Sequence, residues 1–375
     1  MVDARYLGLM FDVVMPDMRA GRQLGTYLCA FTRLARAIKG FDVHDARADA
    51  APADGSRPLA IMQLVHTGRQ SMRGAGRAPW TPSVAPSAVP IASGNSPTLL
   101  EALLFNKPRE MTHDDIHFVI DRFVEGAVLA ECAGFDGIEL HAAHGYLLSS
   151  FLNPHTNRRT DAYGGDAERR FRILREIIVG IRARVRRSFV VGVKLNASDY
   201  VRGGQTEDDA LQNVRWLAEM HACDFVEISG GSYEAPSAFT RQPERTARRE
   251  GFFIEFAQRC RRELPPDTHM RVVVTGGFRT RDGMTEAVRR GHADAIGIGR
   301  AAAVDPALPQ SLATSPAVPD WTPPPAPWWM PRVPLAGAGW GTLWYTAQIG
   351  RVSRGLPPSE HLSILAFLWQ LRFWS

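Results

Sequence analysis

The chain has 375 residues, 45% of them hydrophobic, and carries a net charge of +5 with a pI near 9.2. That is enough apolar sequence for a sizeable core in one large domain or two small ones. No compact run of five basic residues stands in it, which argues against nucleic acid as a partner. Its four cysteines, Cys29, Cys132, Cys223 and Cys260, form no CxxC pair, which argues against a disulfide framework and a zinc knuckle.

The first residues, MVDARYLGLMFDVVMPDM, are acidic early and lack a clean apolar stretch, so they do not read as a signal peptide. With reduced thiols this points to the cytoplasm. After a short apolar piece around Leu7–Met15, a helix is expected over Leu24–Lys39. Asp42–Gly55 reads as an inserted loop. Six apolar, β-branched runs then alternate with amphipathic stretches. The runs are Leu59–Val65, Phe135–His141, Val190–Asn196, Phe225–Gly231, Arg271–Gly277 and Ala293–Arg300. Helices are expected after Thr112, which with Asp115 resembles a capping box, and over Ala167–Arg184, Glu207–Met220 and Phe252–Arg262. The arginines of Arg182–Arg187 and Arg261–Arg262 read as solvated helix faces. Cys132, Cys223 and Cys260 read as buried structural thiols.

Strand–helix alternation implies a parallel α/β sheet with right-handed crossovers. Polar and glycine-rich residues gather at the strand ends, where α/β barrels of the TIM (β/α)8 type place their sites. Six strands are visible where a closed barrel has eight. The reading is therefore a barrel incomplete at its N-terminus over residues 1–312, followed by a Pro-rich connection and helical tail over 313–375. Ala313–Pro334 holds eight prolines. The uncharged stretch Val333–Gly350 contains four glycines and is short for a membrane span; docking against the barrel is the expectation.

The chemistry concentrates where Phe135–His141 ends. His141, His144 and Tyr146 fall within six positions there. A lone histidine is often structural, but two at one strand end, with a phenol, form a site constellation. The pair could also bind Zn²⁺, but no third ligand stands at a telling spacing and no metal is expected. His66 is assigned a packing role. Gly276, Gly277 and Gly299 end two neighbouring strands, where backbone N–H groups can approach an anion and Arg300 adds a charge. Gly297–Ala302 also fits the loose dinucleotide pattern GxGxxA, but no βαβ unit follows it.

Several ordered motifs between Leu59 and Pro306 resemble the Old Yellow Enzyme family of flavin-dependent oxidoreductases. They are QLVHTGR (Gln63–Arg69), HAAHGYL (His141–Leu147), NRRTDAYGG (Asn157–Gly165), VTGGF (Val274–Phe278) and GIGR (Gly297–Arg300). The resemblance implies FMN as cofactor, NADH or NADPH as hydride donor, and reduction of an activated C=C bond in an enone-type substrate. It places Gln63 and Lys194 at the flavin ring, Gly276, Gly277, Gly299 and Arg300 at its phosphate, His141 and His144 on the substrate carbonyl, and Tyr146 as general acid. Lys194 is a mild departure, since many members carry arginine there. Two strands precede the first helix in the family, and MVDARYLGL begins about where the second should have ended. Impaired activity is expected on that ground, and a flavin-free relative is the first alternative. A metal-dependent hydrolase is the second. A homo-oligomer is a further possibility the sequence leaves open.

Overall fold

In the computed structural model the described residues are 1–7, 13–16, 22–41, 57–231, 234, 251–315, 334–359, 362–363 and 365–366. The elements, in order, are α1 (Arg22–Ile38), β1 (Ile61–Leu64), β2 (Val84–Ala85), α2 (Leu99–Leu104), β3 (Arg109–Glu110), α3 (His113–Cys132), β4 (Gly137–Ala142), α4 (Leu147–Leu152), α5 (Ala167–Arg182), β5 (Val190–Asn196), α6 (Glu207–Glu219), β6 (Phe225–Ser229), α7 (Ile254–Glu263), β7 (Arg271–Thr275), α8 (Arg281–Arg289), β8 (Ala295–Gly297), α9 (Arg300–Val304), α10 (Leu308–Thr314) and α11 (Pro334–Val352).

Six strands pair in the order β1-β4-β5-β6-β7-β8, every pair parallel, as an arc of an α/β barrel. All six expected strands are present, trimmed by one to three residues at most ends. Each strand alternates two faces. Ile138, Leu140, Val191, Val193, Val226, Ile228, Val272 and Val274 are fully buried on one face. Against it lie Phe123 and Ala127 of α3 and Phe171, Leu174 and Ile178 of α5. The other face carries Gln63, Glu139, His141, Lys194, Glu227 and Ser229. Gly192 is required by packing. A Cβ there would stand 2.1 Å from the Phe225 ring.

One device closes the strand starts. Asp136, Asp224 and Asp294 stand immediately before β4, β6 and β8. Each carboxylate accepts a backbone N–H from the neighbouring strand or its approach: Ala60 at 2.8 Å, Val191 at 2.7 Å and Val272 at 2.8 Å. A cation neutralises each, namely Lys39 at 2.8 Å, Arg182 at 2.5 Å and Arg261 at 3.2 Å. Arg182 and Arg261 are therefore half-buried and committed to strand-start aspartates, a correction to the sequence reading; Arg184, Arg186, Arg187 and Arg262 are exposed as expected.

The Thr112–Asp115 capping box forms, and Thr98–Glu101 and Thr206–Asp209 make two more. Cys132 is exposed at the end of α3, against the expectation of burial; Cys223 and Cys260 are buried. The 2-residue parallel ladder β2–β3 was not anticipated. Residues 1–7 and 13–16 form no barrel strand. They pack on the end of β1 instead, with Val2 N–H donating to Val65 O at 2.9 Å and Arg122 donating to Val2, Met15 and Pro16 carbonyls. His66 is buried beside Asp3, and its Nδ1 accepts from Gly68 N–H at 3.0 Å, which fits the packing role. The Asp42–Gly55 insertion and most of the Ala313–Pro334 connection lie outside the described residues. The Val333–Gly350 stretch supplies most of α11, which packs on α9 through Trp344 and Ala347 near Val304. No helix among the described residues is long and apolar enough to cross a membrane.

Candidate functional site

The end of β4 turns sharply into α4, and that turn assembles the cluster. His144 has φ 60°, a left-handed conformation costing a non-glycine residue about 1–2 kcal/mol. Three bonds hold it. Its N–H donates to Asn196 Oδ1 at 3.1 Å, its carbonyl accepts from Gln70 Nε2 at 2.9 Å, and its Nε2 meets Ser229 Oγ at 2.8 Å. Asn196 is itself fixed, donating to Asp199 Oδ1 at 2.7 Å and to Gly231 O at 2.9 Å. Strain persists only where the surroundings over-determine it, and here they do.

The structure brings His141, His144 and Tyr146 together. The two imidazoles lie 5.0 Å apart, edge to face, and the Tyr146 ring lies 4.8 Å from His141 at 90°. His141 Nδ1 accepts from Ala143 N–H at 3.3 Å, so in the neutral ring the hydrogen sits on Nε2, which is a donor. Burial, then His144 and the Lys194 charge, push the His141 pKa well below its usual value. Burial, then Lys194, bring His144 to about 3. Both rings are neutral at physiological pH. They are suited to donate to a carbonyl oxygen without carrying charge into the site.

Lys194 pairs with His141 across β4–β5 and with Glu227 across β5–β6. Its ammonium is ion-paired to Glu227. Gln63, one strand to the other side of β4, donates from Nε2 to Glu139 at 2.5 Å. Both expected ring-binding residues thus point into the polar face, each held by a carboxylate the sequence reading passed over. Burial, then Glu227, raise Glu139 to about 8. The signal for these carboxylates was present: G-I-E-L-H and V-E-I-S place Glu139 beside His141, and Glu227 beside Ser229, on alternate positions of apolar strands. Arg69 and Glu234 were also missed. They form a buried ion pair, and Arg69 donates to Pro90 O at 3.0 Å while Glu234 accepts from Ala92 N–H at 3.2 Å, which pins the loop after β1.

The four expected phosphate residues lie apart from the histidines, on the loops after β7 and β8. Thr275 and Gly297 are register partners, so the two loops are neighbours. Gly276 and Gly277 have φ 109° and 81°. A Cβ on Gly277 would stand 2.6 Å from the Phe252 ring, so packing alone demands a glycine there. Gly299 precedes α9, and Arg300 is exposed. Among the described residues the N–H groups of Gly276, Gly277 and Gly299 donate to nothing. Uncommitted N–H groups beside a cation fit a phosphate.

A parallel α/β sheet with polar chemistry on its strand-end loops defines a barrel-type active site. The family model described as NADH:flavin oxidoreductase / NADH oxidase matches residues 49–316. The chain belongs to that family. It is 40% identical over 287 residues, 73% of this chain and 37% of the relative, to the NADH-dependent flavin oxidoreductase iliE of Neonectria sp. (strain DH2). It is 42% identical over 267 residues, 69% of this chain and 63% of the relative, to iccE of Talaromyces variabilis, which carries the same description. Among solved structures, a 2-naphthoyl-CoA reductase complex matches with TM-score 0.62 and 26% identity, covering 77% of this chain and 40% of that one. The chain thus spans 37% and 63% of the two curated relatives just described.

Proposed function

We propose that this protein is an FMN-dependent oxidoreductase that takes hydride from NADH or NADPH and reduces the activated C=C bond of an enone-type substrate. The observation that carries it is the cluster of His141, His144 and Tyr146, two neutral imidazoles and a phenol at the end of β4 beside Lys194. Family membership and the descriptions of the relatives support the flavin and nicotinamide parts of the reading.

Gln63 and Lys194 would hold the pyrimidine edge of the flavin, and the loops at Gly276–Gly277 and Gly299–Arg300 its phosphate. When bound, FMN would supply the hydride equivalent for reduction of the C=C bond. His141 and His144 orient the substrate carbonyl and stabilise the negative charge that gathers on its oxygen. Donors preorganised where charge develops are the main source of such stabilisation. Tyr146 delivers a proton from its hydroxyl to the α carbon, a role open to a positioned phenol.

The test is anaerobic reduction of 2-cyclohexenone by the FMN-loaded protein, with each nicotinamide in turn. Saturated ketone and oxidised nicotinamide should appear in equal amounts. Tyr146→Phe should slow product formation while flavin bleaching by the nicotinamide stays unchanged. Bleaching blocked in Tyr146→Phe would contradict the assigned role.

A further inference from the structure

On the polar face of the sheet four side chains form one continuous row: Gln63 from β1, Glu139 from β4, Glu227 from β6 and Lys194 from β5. Gln63 Nε2 donates to Glu139 Oε2, and Lys194 is ion-paired to Glu227. Between them the two carboxyl groups face one another. Glu139 is 5% exposed, and its Oε1 has no hydrogen-bond donor. Glu139 is buried and Glu227 half-buried, and two carboxylates in such contact repel when both are ionised; one proton satisfies the pair. We propose that Glu139 and Glu227 hold a single exchangeable proton that couples Gln63 to Lys194, so that both ends of the row change together.

The surroundings support this. Glu227, Lys194 and, just before β6, Cys223 act on Glu139, and the lowered His141, on the same face, lies opposite Lys194; Gln63 is neutral and β7 contributes Val273 opposite Glu227. Lys194 is thus the cation that acts on the pair. Its charge lowers the proton affinity of Glu139 less than burial and Glu227 raise it. With the proton in place the row is neutral: one carboxylate and one ammonium cancel. Without it the row carries one net negative charge, and the second carboxylate competes for the Lys194 and Gln63 donors. The consequence for cofactor binding rests on the flavin reading of those two residues. Loss of the proton would weaken, not break, the bonds of both donors to the ring acceptors, lowering FMN affinity about tenfold in total, on the order of one net hydrogen bond.

The chain has three lysines, Lys39, Lys107 and Lys194, so ¹⁵N-lysine labelling gives a readable spectrum without any cofactor. In the unloaded protein the Lys194 ammonium signal should shift with a midpoint well above the ordinary carboxyl range, near the value of about 8 to which burial and Glu227 push Glu139. Glu139→Gln should abolish that transition and leave Lys39 and Lys107 untouched. Glu227→Gln removes the repulsive neighbour and should move the midpoint of Glu139, read by its carboxylic C=O infrared band, below 8. An unaltered Lys194 transition in Glu139→Gln, or an unmoved midpoint in Glu227→Gln, would overturn the shared proton. FMN titrations at pH 7 and pH 9 separate the two ideas. Tenfold weaker binding at pH 9 in the native protein but not in Glu139→Gln supports the coupling to flavin, and equal weakening in both overturns that coupling. No FMN binding at either pH would overturn the flavin reading and leave the lysine signal to decide the proton.

Discussion

His141 and His144 are paired by geometry but differ in what holds them. His141 is set by a bond to its own following backbone, and His144 by Asn196, Gln70 and Ser229. Replacing both by alanine should weaken binding of a phenolic ligand while FMN stays bound. Each hydrogen bond to developing negative charge contributes about 1.5–3 kcal/mol, which difference titrations would read directly. Both imidazoles also have a folded proton affinity below the ordinary value of 6.5. Between the two values the unfolded chain binds more protons, so stability from this source is lost as pH falls through about 6.5. Glu139 has the opposite sign. Its folded value of about 8 lies above 4.5, so its contribution is full below pH 4.5 and is lost as pH rises through 8. The urea midpoint of the native protein minus that of the double histidine variant should therefore shrink from pH 7.5 to pH 5, since both proteins keep Glu139. Between pH 5 and pH 9, Glu139→Gln should lose less stability than the native protein. At this scale the sequence displayed the histidines and tyrosine because they cluster within six positions. It hid Glu139 and Glu227, because each sits alone within an apolar strand and meets its partner only across the sheet.

The strands were legible because buried parallel strands read as apolar runs, and the helices because apolar residues recur at helical spacing, with a capping residue marking the start at α3. The short ladder β2–β3 was not, since two residues carry no periodicity. Nor was the repeated aspartate before β4, β6 and β8, whose partners lie on neighbouring strands. Asp224 is the fullest example, accepting from Val191 N–H and pairing with Arg182. Asp224→Ala should leave that N–H and Arg182 without their shared acceptor and cost about 1.5–3 kcal/mol. A thermal melt should show the loss, and Asp294→Ala should behave alike. An unchanged melting temperature in both would show that the strand starts are held by the backbone ladder alone.

Taken as a whole, the sheet is an arc whose end strands, β1 and β8, do not pair with each other among the described residues. Unpaired strand edges invite association with other chains. Leu59, just before β1, is 62% exposed and extends that edge. Leu59→Lys should reduce light scattering on concentration with no change in the circular dichroism of the fold. The same openness bears on the central claim, because Gln63 on β1 and the loops after β7 and β8 lie toward opposite ends of the arc, and one FMN would have to engage both. The measurement that tests this most directly is titration of the purified chain with FMN and with FAD, followed by visible absorbance and by chromatography of what heat releases. The account predicts saturable binding of FMN with a perturbed flavin spectrum, little binding of FAD, and weakened FMN binding in Arg300→Ala. Preference for FAD, or no flavin bound at any concentration, would contradict it.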